Sequence, residues 1–435
     1  MLIRILIILS MILGNCFSLQ ANAQNENLSQ PIPGQFIVKF KDQKGNASDK
    51  IGNLEKKHGA MTDNVFENSF KGATIHVPPG KEKDVANDPD VAQLVQDFTV
   101  YAVDRNNHDD HGSPEIEANG MSSASMGGAP AQVIPTGINW IDAELNTTNE
   151  GNGVTVAVLD TGIDFNHPDL MVNTFLSRDF SGDNTGGNDN NRSIGGHGTH
   201  CAGVIAALDN SIGVLGTGSK ITLVSVKVLR SSGIGSFSGI IAGLDYVTAN
   251  AGTIAVTNSS FGANGGINPS QSYLDAVNLL HAAYQRAANA GVVNVVAAGN
   301  ESVNVTTNNC APAMYPEVIT VSAVSDSNGI QDSADTWAYF SNFGTEVDII
   351  APGVNILSTA LGGGYSSLSG TSFSSPYVAG TAALYVAKNG RPATGDAQLL
   401  SSLISTISKT RSPLPSEPSD GYTEPSCYAN GAGLK

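Results

Sequence analysis

Short apolar runs recur along the central part of the chain, and each ends at small or polar residues. Runs with so little polar alternation are typical of strands that are buried on both faces of a parallel sheet. Helical patterns lie between several of them, at 238–249 and 270–290. The alternation predicts βαβ units, and hence an α/β fold with a mostly parallel sheet and helices on both faces. The candidate strands are 154–159, 221–228, 256–258, 292–297, 318–323 and 347–351.

A dinucleotide-binding domain is the competing interpretation of this alternation. Its phosphate-binding glycines must follow the first strand, because the turn after that strand holds the phosphates. Here Gly151 and Gly153 precede the strand at 154–159, which argues against such a site.

The part of the chain between residues 34 and 102 follows another pattern and predicts a separate small α+β domain. Its first segment alternates like a half-buried strand, and a Pro-Pro-Gly turn follows a later one. The overall order is β-α-β-β-α-β, and an independent adhesion or binding domain is one interpretation of it. The candidate elements are strands at 34–41, 73–77 and 95–101 and helices at 49–58 and 84–92.

The N-terminus predicts a signal peptide at 1–23. Arg4 precedes an apolar stretch at 5–13, and a small-x-small pattern ends at Ala23. The stretch is too short to span a bilayer, so we expect cleavage after Ala23 and secretion of the remaining chain. A lipid anchor at Cys16 is the alternative, which the asparagine before that cysteine disfavours.

Composition limits the partners. The 435 residues suffice for two or three domains with a large core, and the net charge is −17. This charge disfavours nucleic acid and anionic membranes as partners, and we expect a monomer without a membrane partner. Two aperiodic polar stretches are predicted to be a flexible linker (104–130) and a C-terminal tail (412–435). This tail is either pinned by a disulfide bond of Cys427 or trimmed.

Three segments carry candidate catalytic chemistry in the order Asp, His, Ser. Asp160 ends an apolar strand, His197 follows two glycines, and Ser372 follows Gly-Thr and precedes a buried helical stretch. A serine hydroxyl needs a histidine to take its proton and a carboxylate to orient that histidine, so the three residues are a candidate triad. Taken singly, each segment has a plain interpretation as a turn or loop, and His197 with His200 also permits a weak zinc hypothesis.

With these flanking residues, the chain resembles the subtilisin-like serine proteases. The resemblance implies a three-layer α/β peptidase domain at 131–411 and a serine endopeptidase that is made as a zymogen. It also implies that Asn300, after the strand at 292–297, donates its amide to the oxyanion together with the backbone N–H of Ser372. A turn-capping or glycosylated asparagine is the alternative for Asn300.

The same resemblance implies that 24–103 is a ferredoxin-like prodomain, an intramolecular inhibitor that assists folding and blocks the groove. Cleavage is then expected near 101–103, and the extra linker leaves room for a second cut. A secreted binding protein that retains the fold without catalysis is the alternative function.

A structural calcium site is implied by the loop at 207–218, which closely resembles the calcium loop of subtilisins. All of the implied ligands offer oxygen atoms, as calcium prefers. A glycine-rich turn is the alternative. The implied ligands are the side chains of Gln132, Asp169 and Asn210 and the backbone carbonyls of Leu208, Ile212 and Val214.

Polypeptide substrates are expected to bind as an added strand against two glycine-rich segments, because family members pair with substrate backbone there. Phe237 and Phe261 suggest an apolar pocket upstream of the scissile bond, and Glu301 is expected at the rim of the pocket next to it. A hydrophobic preference with some tolerance of basic residues is the hypothesis. The implied binding residues are Ser232, Gly233, Ile234, Gly235, Phe237, Ser260, Phe261, Gly262, Ala298, Gly299 and Cys310.

Three cysteines remain after removal of the signal peptide. Cys201 is expected to be a buried free thiol close to the candidate base. Cys310 and Cys427 either pair or stay free, and the sequence leaves both possibilities open.

Overall fold

A computed structural model describes residues 28–103, 130–192, 195–391 and 397–430. The predicted signal peptide with Cys16 and most of the predicted linker lie outside the described residues. The helices are α1 (Ala47–His58), α2 (Glu82–Ala86), α3 (Thr136–Trp140), α4 (His197–Ala206), α5 (Phe237–Ala249), α6 (Gln271–Asn289), α7 (Thr371–Asn389) and α8 (Ala397–Thr406). The longer strands are β1 (Pro31–Phe40), β2 (Met61–Phe66), β3 (Gly72–His76), β4 (Val91–Ala102), β5 (Thr155–Asp160), β7 (Thr222–Lys227), β9 (Ile254–Ser259), β11 (Val293–Ala297), β13 (Val318–Ser325), β15 (Ile349–Pro352), β16 (Ile356–Ala360) and β17 (Gly364–Leu368). The shorter strands are β6 (Arg178–Asp179), β8 (Ile234–Ser236), β10 (Phe261–Asn264), β12 (Cys310–Ala311), β14 (Thr336–Trp337), β18 (Ser408–Lys409) and β19 (Ser426–Cys427).

A ten-stranded sheet forms the centre of the larger domain, in the order β18-β19-β15-β13-β11-β9-β5-β7-β6, with β14 beside β13. The seven strands from β15 to β6 pair with one another in parallel, and β19 also pairs with β15 in parallel. The two antiparallel strands are β14, beside β13, and β18, beside β19. The six candidate strands predicted from apolar runs all lie in this sheet. The predicted α/β class is therefore confirmed.

Alternating side chains of the central strand β5 contact the two helical layers. Val156 and Val158 belong to the core that packs under α4 and α7. Ala157 and Leu159 belong to the core that packs under α5 and α6. Because successive strand residues point to opposite faces, an unbroken apolar run is what a three-layer α/β domain requires.

The N-terminal domain has antiparallel strands in the order β4-β1-β3-β2, which is ferredoxin-like, and a core of its own under α1 and α2. Strand β2 was not located by the sequence pattern, since its residues MTDNVF are mostly polar and partly exposed. Strand β4 extends beyond this domain and pairs with β8 and β10 of the larger domain.

Polar contacts fix the small domain against α5. The Asp245 carboxylate accepts backbone N–H groups of Asn68 at 2.6 Å and Ser69 at 2.5 Å. At the other end of the helix, the Asp97 carboxylate accepts the Ser238 N–H at 3.2 Å. Both carboxylates are buried, and each accepts at least one backbone N–H from the other domain.

The C-terminal segment, for which the sequence predicts a tail, is joined to the sheet within its described part through β19. Ser426 of β19 pairs with Ile350 in parallel, which extends the sheet beyond β15. The guanidinium of Arg411 binds Glu417 through two 2.8 Å contacts and Glu424 at 3.2 Å. These three side chains are almost fully buried, so charges distant from the catalytic motifs hold the segment in place.

The structure decides between the two possibilities that the sequence leaves open for Cys310 and Cys427. Both are free and buried, and they lie in different apolar clusters. Cys201 is free and buried as expected.

Replacement of Arg411 by alanine should destabilise the protein by about 3–5 kcal/mol, because it leaves two buried carboxylates without their cation. Lys220→Ala is the matched control. It breaks a pair with Glu150 in which the lysine side chain is 58% exposed, and such pairs contribute about 1 kcal/mol or less. Urea midpoints measured in a Ser372→Ala background would compare the two, and equal losses would contradict the structural role of Arg411.

Candidate active site

Asp160 and His197 meet at the carboxyl end of the sheet. Asp160 is the last residue of β5, and His197 is the first residue of α4. The His197 Nδ1 lies 2.8 Å from Asp160 Oδ1, and both side chains are fully buried. The N–H of Thr161 also donates to that oxygen, at 2.6 Å. The carboxylate therefore holds the proton on Nδ1, which leaves Nε2 as the basic nitrogen of the ring.

Ser372 lies in the first turn of α7, against the same helix α4. The Cys201 thiol lies 3.4 Å from the Ser372 carbonyl oxygen, and the ring of Phe373 is 5.3 Å from the ring of His197. The three predicted triad residues are thus brought to one place from segments far apart in the sequence.

The Asn300 side chain is oriented by the turn that precedes Ser372. Its Oδ1 accepts the backbone N–H of Thr371 at 2.9 Å and the Thr371 hydroxyl at 3.0 Å. The amide N–H₂ group therefore points the other way, where Nδ2 donates to the Val103 carbonyl oxygen at 3.1 Å. Gly299 is required before it, because φ is +109° and a Cβ would lie 2.2 Å from Asn342.

The end of β4 occupies a groove between β8 and β10. The N–H of Ala102 donates to Gly233 O at 2.8 Å, and that of Val103 donates to Ser260 O at 3.2 Å. The Ser372 hydroxyl donates to the carbonyl oxygen of Val103. Residues 100–103 are therefore held as an extended strand that ends at the candidate nucleophile.

The predicted binding residues surround this strand on both sides. Ile234 and Gly235 of β8 lie opposite Tyr101 and Val100. Phe261 and Gly262 of β10 lie opposite Ala102 and Tyr101. The exposed Ser232 lies in the turn before β8, where its hydroxyl accepts the Ile234 N–H.

The side chains of Val100 and Val103 are both buried. Val100 is buried in the cluster that includes Phe237 and Phe261. A methyl group of Val103 lies 3.4 Å from the position that a Cβ on Gly262 would occupy, so a larger residue there would crowd this site.

The segments on either side of Asn300 combine small residues with one half-buried acid. Ala298 and Cys310 belong to one small apolar cluster. The Glu301 carboxylate accepts the Asn342 amide at 2.7 Å, beside Gly299, and burial raises the pKa of Glu301. Burial also raises the pKa values of Cys310 and of Cys201 well above the ordinary range, so neither thiol has the character of a nucleophile.

The residues implied as calcium ligands are collected around Asp169, which is fully buried. Its carboxylate accepts the Asn210 amide and the Val214 N–H, each at 3.0 Å. The Gln132 amide donates to Leu208 O at 2.9 Å, and Ile212 donates its N–H to Asn210. Burial raises the pKa of Asp169, although the hydrogen bonds that it accepts oppose this rise. A half-turn of the two amides would present their oxygens, so the donor set fits a hard cation.

Sequence reasoning missed several groups at the site. Lys227 lies beside Asp160 in the sheet register, is fully buried and donates from Nζ to Thr161 O at 2.6 Å. The run Asp189-Asn190-Asn191 lies in a polar insertion at 177–194, to which the sequence analysis assigns no role. Its position before the Gly-Gly that precedes His197 was the available signal.

No helix in the described ranges is long and apolar enough to cross a membrane.

Known proteins share this arrangement. Residues 151–422 match the family model Peptidase_S8, the subtilase family. Subtilisin NAT of Bacillus subtilis subsp. natto is 40% identical over 279 residues, which are 63% of this chain and 66% of that protein. Subtilisin of Bacillus pumilus is 40% identical over 63% of this chain and 92% of its own length. Alkaline serine protease ver112 of Corniculantispora psalliotae is 32% identical over 90% of this chain and 89% of that protein.

The structural comparison agrees with these relatives. A crystal structure of a cold adapted subtilisin-like serine proteinase aligns with a TM-score of 0.52 and 32% identity, over 65% of this chain and 91% of the other. The family match covers more than half of the sequence and includes Asp160, His197, Asn300 and Ser372. The chain therefore belongs to the subtilase family of subtilisin-like serine proteases.

Proposed function

We propose that this protein is a secreted serine endopeptidase that is made as an autoprocessed zymogen. The observation that supports this most strongly is the position of the Val103 carbonyl, which accepts from both the Ser372 hydroxyl and the Asn300 amide. The buried Asp160–His197 pair stands at the same end of the sheet. A binding protein that only retained the fold would have no chemical need for all four groups.

In the proposed reaction, Nε2 of His197 takes the proton of the Ser372 hydroxyl as the oxygen attacks the carbonyl carbon of the scissile bond. The carbonyl oxygen becomes an oxyanion, which the Asn300 amide and the Ser372 backbone N–H stabilise. Collapse of this intermediate breaks the C–N bond, and the imidazolium gives its proton to the leaving amine. Water then attacks the acyl-enzyme by the same route and releases the new carboxyl group.

The first substrate is proposed to be the chain itself, cut between Val103 and Asp104. Val103 has its carbonyl at the nucleophile and its N–H on Ser260 O, as a residue before a scissile bond requires. The small domain would then remain bound as an inhibitor, because its contacts with α5 do not depend on the cut bond. Further trimming within 104–130 would complete maturation.

Free substrates are proposed to bind as extended polypeptides in the same groove. The buried positions of Val100 and Val103 favour apolar side chains at the fourth and first positions before the scissile bond. Glu301 beside Gly299 supports the hypothesis that some basic residues are tolerated at the first position.

Calcium is proposed as a structural ion at Asp169. Gln132, Asp169 and Asn210 would contribute side-chain oxygens, and Leu208, Ile212 and Val214 would contribute carbonyls. The bound ion would neutralise the buried carboxylate and tie the segment after Pro130 to the loop at 207–218.

Ser372→Ala should abolish cleavage between Val103 and Asp104, because the attacking oxygen is removed. The full chain is expressed in a protease-deficient host, and the N-terminus of the product is sequenced. Ser374→Ala, two residues along the same buried helical turn, is the matched control and should process normally. Identical processing of the Ser372 variant would contradict autocatalysis.

Asn300→Leu should lower kcat about 100-fold or more with little change in KM, because the lost amide acts mainly on the oxyanion. The processed enzyme is assayed with a chromogenic peptide that has valine before the scissile bond. The melting temperature of each preparation separates this effect from misfolding. An unchanged kcat would contradict the role of Asn300.

Excess EGTA should lower the melting temperature of the wild type, and Asp169→Asn should remove most of this response. At a calcium concentration of 100 times Kd, binding contributes about 2.7 kcal/mol. Asp209→Asn, an exposed acid in the same loop, is the matched control and should respond to EGTA like the wild type. If EGTA changes the melting temperature of none of the three proteins, the calcium site is contradicted.

A further inference from the structure

Asp189, within the polar insertion, is buried against the helix that carries His197, with 4% of its surface exposed. Its Oδ2 accepts the Thr199 hydroxyl at 2.7 Å and the Thr199 backbone N–H at 3.2 Å. Its Oδ1 accepts the N–H of Asn191 at 3.0 Å. The carboxylate therefore binds the first turn of α4 from outside the helix.

This contact replaces an N-cap that the helix lacks. The N-cap residue is Gly196, whose φ is +93° and which has no side chain to accept an N–H. A Cβ at Gly196 would lie 2.6 Å from Leu361 and 2.9 Å from Asp189 Oδ2, so a serine or asparagine cap does not fit. The first N–H groups of a helix need acceptors, and Asp189 supplies one for Thr199.

The same turn is tied to the segment that follows the catalytic acid. The Thr199 hydroxyl accepts the N–H of Asp164 at 3.0 Å, and Gly198 donates its N–H to the Thr161 hydroxyl at 2.9 Å. Together with Asp189, these bonds fix the start of α4 relative to the end of β5, and so fix the His197 ring relative to Asp160.

Several charged groups face Asp189. The Asp160 carboxylate acts on it from the end of β5, and the Lys227 ammonium acts on it from β7. Burial raises the pKa of Asp189 to about 6, with the Asp160 charge adding to the rise and Lys227 and the Thr199 hydroxyl opposing it.

We propose that Asp189 is a positioning residue for the general base: its carboxylate fixes the first turn of α4, and its charge supports the imidazolium that forms on His197 during acylation. The inference rests on the proposed peptidase function. It extends that function to a carboxylate that accepts hydrogen bonds from Thr199, two residues after the base in the same helix.

The test is made on the full chain after its own processing. Asp189→Asn keeps the shape of the side chain and removes the charge. It should lower kcat about tenfold with KM within about twofold, because the groove is untouched. The acid limb of the kcat/KM profile should also move about half a pH unit lower, because an imidazolium that loses a neighbouring anion gives up its proton more readily.

Asp179→Asn is the matched control, since Asp179 accepts bonds from Ser181 and Thr185 within the same loop. It should leave both kcat and the acid limb unchanged. Equal behaviour of the two variants, or a loss of kcat in Asp189→Asn with an unmoved acid limb, would overturn the proposal.

Thr199→Val is the second variant, to be used if Asp189→Asn does not fold. It removes the hydroxyl that donates to Asp189 and keeps the negative charge of Asp189. It should lower kcat and leave the acid limb in place, and an unchanged kcat would overturn the proposal. An inactive processed wild type would overturn the peptidase function together with this inference. An active wild type beside an unaffected Asp189→Asn would overturn this inference alone.

Discussion

The hydrogen bond between Asp160 Oδ1 and His197 Nδ1 is the interaction on which the site depends. At 2.8 Å between two fully buried side chains, it places the proton of the imidazole without competition from water. A carboxylate in such a place is costly without donors, and the Thr161 N–H and the His197 ring both donate to Oδ1. When the His197 ring gains a proton, the adjacent Asp160 carboxylate compensates its positive charge.

The fold makes this pair possible through the geometry of parallel strands. Because β5, β9 and β11 run in the same direction, their carboxyl ends place Asp160, Ser260 and Asn300 along one edge of the sheet. The starts of α4 and α7 return to that edge with His197 and Ser372. The catalytic groups therefore come from ordinary strand and helix ends.

Much of this was predictable from sequence, because the central strands are buried on both faces and leave unbroken apolar runs. The triad, Asn300 and both walls of the groove carry local glycine-rich patterns. The fixed structure of the C-terminal segment was not predictable. It depends on Arg411 binding Glu417 and Glu424 inside a stretch that is rich in proline and serine. Asp189 was missed for the same reason: a polar run looks like a solvated loop until the buried partner is known.

Two kinds of contact hold the small domain on the larger one: pairing of strand 100–103 in the groove, and contacts of the small domain outside the groove. Strand 100–103 pairs with β8 and β10 through backbone groups, as any extended peptide could. The small domain adds the Asp245 and Asp97 contacts with neighbouring backbone N–H groups, together with packing of Phe98 against Phe237 and Tyr273. Cleavage after Val103 would leave all of these in place. A short peptide product has only the strand pairing, so it would leave the groove, whereas the cut small domain would stay.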